Sequence, residues 1–158
     1  MSNQALNIVW LKRDIRSQDH EPLFRAEQAG IPYKIIYTFE PTIIEYPDTD
    51  IRHLQFIYHS ILEMNKILAH FNKCVDIFYG EAVDVFEHIS LNFNIQEVFS
   101  YQESGTRITW ERDKIINSFC KKQEISWCES QRDGIIRGIT NRIDWNKNWH
   151  KVMHRPII

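Results

Sequence analysis

The sequence predicts an α/β protein built on a doubly wound, five-stranded parallel sheet with helices on both faces. Short runs rich in Ile, Val, Phe, Tyr and Trp recur at 7–11, 34–39, 75–79, 96–100 and 125–128, the composition of β-strands. Most of these runs are almost continuously apolar, as in strands covered on both sides. Longer stretches with helical periodicity separate them, and regular strand–helix alternation is what a parallel sheet with crossover helices requires.

In the first run, NIVWL at 7–11, Ile8 to Leu11 are apolar, and the run then gives way abruptly to Lys12, Arg13, Asp14 and Arg16. A helix is expected from Asp19 to Gly30, with Asp19 as its N-cap, Glu21 and Pro22 in the first turn and Gly30 at its end. KIIYTF at 34–39 forms the second strand. Residues 52–72 place Leu54, Ile57, Tyr58, Ile61, Met64, Leu68 and Phe71 on one helical stripe. VDIFY at 75–79 is the third strand, leaving through a turn at Gly80. The next helix, 82–93, buries Ala82, Val83, Phe86, Ile89 and Phe93. After the strand QEVFS at 96–100, a helix over 106–122 uses Ile108, Ile115, Ile116 and Phe119, and ISWC at 125–128 is the last strand. Beyond Glu129 the alternation stops. Residues 1–129 are therefore read as one α/β domain and 130–158 as a basic linker or tail, with a short helix near Trp145–Met153.

Bulk properties narrow the function. The chain has 158 residues, 43% of them hydrophobic and 25% charged, an ordinary balance for one globular domain. Its net charge of −2 gives no electrostatic case for nucleic acid, although residues 131–158 hold six basic residues against two acidic ones. That tail reads as a linker, because Ile139, Ile143, Trp145, Trp149 and Met153 are interleaved with its charges. Cys74, Cys120 and Cys128 show no C-x-x-C spacing and read as buried thiols in a reducing compartment. No secretory signal is visible and no apolar run approaches the roughly 18 residues of a membrane span, so the cytoplasm is the expected location. His150 and His154 can share a helix face but have no third ligand nearby, so no metal site is expected.

In an open parallel sheet, ligands sit beyond the carboxyl ends of the strands, where strand order switches. The charges after the first strand would stand at the mouth of that crevice and pair with a polar or anionic ligand. Equally, Asp14 could pair with Arg13 or Arg16 and simply pin the loop. No G-x-G-x-x-G and no P-loop motif follows any strand, which speaks against a conventional phosphate cradle.

The motifs together resemble the photolyase/cryptochrome family. VWLKRDIRSQDHEPL carries Val9, Trp10, Arg13, Asp14, Arg16, Asp19 and Leu23 on the positions of that family's amino-terminal motif. YTFEP at 37–41 looks like the end of its second strand, and RHLQFIYHSILEMNKIL at 52–68 like its following helix. YGEAVDVF at 79–86 matches its strand–Gly–acidic–helix turn, and QESGTRITWERD at 102–113 resembles the segment leading to a paired Arg-Asp, here Arg112-Asp113. These matches run through nearly the whole chain in the same order. Leu11 and Lys12 depart from the family's more common Phe and Arg, and 103–113 differs from its more frequent glutamate–proline–tyrosine version.

The resemblance implies a Rossmann-like amino-terminal domain. In the full protein it would be followed by a helical FAD-binding domain, and the flavin, the lesion pocket and the electron-transfer tryptophans would lie in that second domain. The full protein would use light to repair DNA pyrimidine dimers or to sense blue light; this chain alone is expected to hold no catalytic residue. The resemblance also implies an antenna chromophore here, a folate, a deazaflavin or a flavin mononucleotide (FMN). Its expected anchors are Arg13, Asp14, Tyr37, Glu40 and Glu103. Expected partners are the helical domain and, through the full protein, DNA; no membrane is involved. Two other functions stay open on the residues: a stand-alone Rossmann-like nucleotide- or flavin-binding module without photorepair activity, and a structural domain that docks a helical partner.

Overall fold

The structure, a computed structural model, describes residues 4–158. The elements in chain order are β1 (Gln4–Leu11), α1 (Glu21–Gln28), β2 (Tyr33–Phe39), α2 (Pro41–Ile44), α3 (Ile51–Leu68), β3 (Val75–Tyr79), α4 (Ala82–Asn92), β4 (Phe93–Tyr101), α5 (Arg107–Lys122), β5 (Ser126–Ser130) and α6 (Trp145–Met153). A single turn of 3-10 helix, Ala69–Phe71, follows α3. The five strands form one sheet in the order β3-β2-β1-β4-β5, and every neighbouring pair is parallel. This is the doubly wound architecture that the alternation predicts.

The central strand explains why its sequence shows no polar alternation. Leu6 through Leu11 are all buried. Leu6, Ile8 and Trp10 pack toward α4 and α5, against Val85, Phe86, Ile89, Ile116 and Phe119. Val9 and Leu11 pack on the other face with Ala26 of α1 and Ile61, Met64 and Leu68 of α3. Successive side chains point to opposite sides of a strand, so a strand with a core on each side needs apolar residues at every position. Trp10 anchors its layer edge-on to Phe86, with ring centroids 5.4 Å apart.

Asn7 interrupts this strand. It is fully buried, and neither Oδ1 nor Nδ2 has a hydrogen-bond partner among the described residues. A buried amide without partners carries a desolvation cost. Asn7→Val is therefore expected to raise stability by about 1–2 kcal/mol, read as a higher denaturation midpoint at unchanged slope; a lower midpoint would show that the amide is satisfied.

Local expectations change in four places. Asp19 does not cap α1: it sits at φ 49°, away from the extended geometry of an N-cap. His20 caps instead, its Nδ1 accepting from the Leu23 N–H at 3.2 Å. Phe93 is the first residue of β4 and not the last of a helix. Ile115, Tyr58 and Phe71 are exposed; the buried side of α5 is Thr109, Asp113, Ile116, Phe119 and Cys120, a stripe that includes polar residues apolar periodicity ignores. Of the three thiols only Cys120 is buried, whereas Cys74 is exposed, because it lies just ahead of the edge strand β3.

Candidate functional site

The carboxyl ends of β1, β2 and β4 open into a cavity of about 430 Å³. It lies beside the switch in strand order, where the chain runs outward from β1 to β2 on one side and β4 occupies the other. β1 delivers Lys12 and Arg13, β2 delivers Tyr37, Phe39 and Glu40, the segment after β4 delivers Glu103, and α5 delivers Arg112. Pro41 sits in the first turn of α2, whose Ile43 and Ile44 close one wall while Ile57 of α3 closes another.

Arg112 holds the polar side of the site together. Its Nη1 donates to Glu40 Oε1 at 3.0 Å, its Nη2 to Glu103 Oε2 at 3.1 Å, and its Nε to Asp113 Oδ1 at 3.1 Å. Both glutamates are buried and otherwise occupied. Glu40 Oε2 accepts from the Ala82 N–H at 3.3 Å, and Glu103 Oε1 accepts from the Gly105 N–H at 2.7 Å. Burial pushes the Glu40 carboxyl up, with Arg112 opposing it. Burial likewise acts to lower the Arg112 guanidinium, but Glu40 and Asp113 outweigh it and leave the guanidinium held more firmly charged than usual. The carboxylates of Glu40, Glu103 and Asp113 are thus committed to Arg112, Lys12 and backbone N–H groups, a cluster arranged to hold groups in position.

Behind Arg112 lies a second buried pair. Lys12 Nζ stands 2.8 Å from Asp113 Oδ2. The ammonium also lies 4.8 Å from the Trp10 ring centroid and 5.4 Å from that of Trp127, distances suited to cation–π attraction. Burial lowers the Lys12 pKa while Asp113 opposes the shift.

The groups left for a ligand are few. Arg13 makes one ion pair, Nε to Glu103 Oε1 at 3.3 Å, and remains half-exposed. Its guanidinium lies against Gly105, where a Cβ would stand 2.3 Å from Arg13 Nη2 and 2.6 Å from Glu103 Oε1; a glycine is what lets the loop approach this closely. Tyr37 packs edge-on against Phe39 at 5.0 Å, and burial pushes its hydroxyl up to about 12, so it stays neutral.

The structure thus brings Arg13, Tyr37, Glu40 and Glu103 to one cavity. Asp14 is close in sequence but its carboxylate is spent elsewhere. Oδ2 lies 2.7 Å from His20 Nε2 and Oδ1 accepts from the Lys12 N–H at 3.0 Å. Because His20 Nδ1 accepts from Leu23, its proton is on Nε2 and is donated to Asp14. Neither Arg13 nor Arg16 is the partner of Asp14; Arg16 turns to Asp19 at 3.5 Å. Sequence reasoning quoted Arg112-Asp113 but did not make it the centre of the site. The available signal was the α5 stripe Thr109–Asp113–Ile116–Cys120: an Asp in line with apolar residues faces the core and must find a cation.

A doubly wound parallel sheet with an aromatic, polar-edged crevice at its switch point is the class of α/β domain in which small-molecule sites are commonly found. A sequence model of the DNA photolyase family matches residues 7–137, and the chain belongs to that family. The curated relatives include a cryptochrome DASH of Synechocystis sp. (strain ATCC 27184 / PCC 6803 / Kazusa), 24% identical over 101 residues that make up 61% of this chain and 21% of the relative. Among solved structures, the Synechocystis sp. PCC6803 cryptochrome superposes with a TM-score of 0.81 at 16% identity, over 100% of this chain and 36% of that one. An archaeal photolyase from Sulfolobus tokodaii, solved with two FAD molecules and implicating a novel light-harvesting cofactor, gives 0.78 at 20% identity, over 96% and 36%. A bacterial class III photolyase from Agrobacterium tumefaciens gives 0.69 at 16% identity, over 85% and 27%. The chain therefore spans about a fifth of the curated relative and about a third of the first two structures. Membership favours the photolyase/cryptochrome reading over a free-standing nucleotide-binding module. Among the described residues no helix is long and apolar enough to cross a membrane.

Proposed function

We propose that this domain holds a flat light-harvesting chromophore, a folate, deazaflavin or FMN, in the crevice above β1, β2 and β4. In the full protein it would serve an FAD-binding helical domain that repairs DNA with light or senses blue light. On this reading residues 130–158 form the basic linker toward that domain. The observation that supports the antenna reading best is the crevice itself. Its volume of about 430 Å³ falls in the range of small-molecule sites, which are mostly apolar with a few fixed polar groups. Tyr37, Phe39, Ile43 and Ile57 supply the apolar walls, and Arg13, Glu40, Glu103 and Arg112 the polar edge. Asp14 contributes by holding the loop that presents Arg13.

The test is spectroscopic. Purified protein is titrated with a reduced folate, a deazaflavin and FMN while chromophore absorption and emission are followed. One of the three is expected to show a saturable band shift that Tyr37→Ala weakens and Lys121→Ala, exposed in the last turn of α5, leaves unchanged. No saturable change with any of them overturns the antenna reading.

A further inference from the structure

The two edges of the sheet are finished differently. At β5 the chain that follows folds back, and Arg137 Nη1 pairs with Glu129 Oε2 at 3.1 Å, so that edge ends in a paired charge. β3, at the other edge, presents apolar side chains. Ile77 is 40% exposed and Tyr79 77% exposed. Both stand on the side of β3 on which Val75 enters the core beneath α3. Helix α3 extends this surface. Its Asn65 Oδ1 accepts from the Val75 N–H at 2.7 Å. Ile51, Tyr58 and Leu62 precede Asn65 at successive steps of seven, four and three and share its helix face; all three are exposed. Ile51, Tyr58, Leu62, Ile77 and Tyr79 thus make one apolar strip along an open sheet edge.

The backbone of that edge is open as well. The Gly80 N–H donates to the Phe39 carbonyl of β2 at 3.1 Å. Backbone groups alternate sides along a strand, so Asp76 and Phe78 also face β2, whereas Ile77 and Tyr79 aim theirs outward. Asn65 closes the first outward donor, at Val75. Among the described residues, neither the Ile77 nor the Tyr79 N–H reaches an acceptor outside the sheet. An unpaired edge of this kind is a template for another strand, and the strand's own symmetry says which one. An antiparallel two-fold axis at Phe78 sets Ile77 against Tyr79 of a second copy, and Tyr79 against Ile77. Each of these residues then exchanges both backbone hydrogen bonds. The side chains on the α3 face form β-branched–aromatic cross-strand pairs, and the Phe78 side chains meet on the other face. Asp76, the one charged residue of β3, falls opposite Gly80 and keeps Lys34 at 2.7 Å, so like charges are not brought together. We propose that two copies of this chain pair through β3, antiparallel, into one continuous sheet. A two-fold interface needs the same self-complementary patch on both copies, and here the α3 strips of both copies flank the paired strands. A lone peptide strand would meet the same backbone donors but bring no second strip.

Sedimentation equilibrium of the full chain tests this. A dimer is expected to grow with concentration and to be half-formed at or below about 100 μM, as suits a small interface. Ile77→Lys and Tyr79→Lys place a charge on the edge and should each weaken association about tenfold or more. Ile115→Lys, exposed on α5 across the sheet, should leave it unchanged. Because Ile77 and Tyr79 are exposed, both lysine variants should keep the wild-type denaturation midpoint in dilute solution, which separates lost pairing from lost folding. Amide exchange locates the contact. The Ile77 and Tyr79 N–H groups should exchange more slowly as the protein is concentrated, and the Phe78 N–H, already in the ladder with β2, should change far less. A chain that stays monomeric up to about 1 mM overturns the proposal. So does a dimer that both lysine variants preserve, or one in which the Ile77 and Tyr79 amides exchange at the same rate at every concentration. An apolar strand peptide that protects those amides while the chain remains monomeric gives the edge to a different occupant and overturns it too.

Discussion

Arg112→Met is expected to destabilise the domain by about 3–5 kcal/mol near neutral pH, the usual cost of removing one partner from a buried charge network. The guanidinium is well buried and bonds to Glu40, Glu103 and Asp113 at once. Asp113 keeps Lys12, and Glu103 keeps Arg13 and the Gly105 N–H. Glu40 keeps only Thr38 Oγ1 at 3.4 Å and the Ala82 N–H, so it becomes the buried carboxylate left without a cation in the variant. The pH dependence carries the diagnosis. Burial already pushes the Glu40 carboxyl above its ordinary range, and removing Arg112 pushes it further. A carboxyl with a raised folded-state pKa is more protonated when folded than when unfolded. Its stabilising contribution is present below the unfolded value of 4.5 and is lost as pH rises through the folded value. The deficit of Arg112→Met against wild type should therefore be greatest at neutral pH and narrow toward pH 4.5. Arg112→Lys keeps the charge without the fork that spans three carboxylates, and should fall between the two. Urea denaturation at a series of pH values measures all three, and a deficit that does not change with pH would sink the explanation.

Asp14→Ala is the second large effect, expected at about 2–4 kcal/mol from a buried histidine N–H and a backbone N–H left without an acceptor. Asp14 ties the loop after β1 to the start of α1 through His20, and His20 in turn caps that helix. Burial alone would raise the Asp14 carboxyl. The hydrogen bond from His20 and the Lys12 N–H outweigh it and hold the carboxyl below its usual value of 3.8. The sign is opposite to that of Glu40. A depressed folded-state pKa gives stability that is present above 3.8 and is lost as pH falls through the folded value. Wild-type protein should thus show an acid-unfolding arm below 3.8 to which Asp14 contributes, and Asp14→Ala should lack that contribution. Faster amide exchange at Leu23 and Phe24, which depend on His20 for the helix start, should accompany the loss. Unchanged exchange there would mean that His20 holds its place without Asp14.

The features that were legible in the sequence share a cause. Strand runs such as NIVWL and KIIYTF, and the α3 stripe Ile57–Ile61–Met64–Leu68, are local patterns imposed by a sheet with a core on each face. The short helix at Trp145–Met153 and the turn at Gly80, with φ 152°, were equally local. The motif after β1 also pointed to the crevice, because a strand that leaves the core must deliver its next residues to the sheet's carboxyl edge. The α2 turn was missed because Pro41–Ile44 is too short to show periodicity. His20 was overlooked because a histidine cap depends on which way its ring faces.

The amino-acid order alone determined the parallel α/β architecture and its family motifs, since apolar spacing dictates which faces must be covered whatever the partners are. Only the tertiary structure decided which charges are spent and which remain available. Asp14 and Arg13 are adjacent in the chain, yet one faces His20 and the other faces the crevice. Arg112 meets Glu40 across 72 residues. Ion pairing depends on distance and burial in three dimensions, and neither is written in the spacing of residues along the chain.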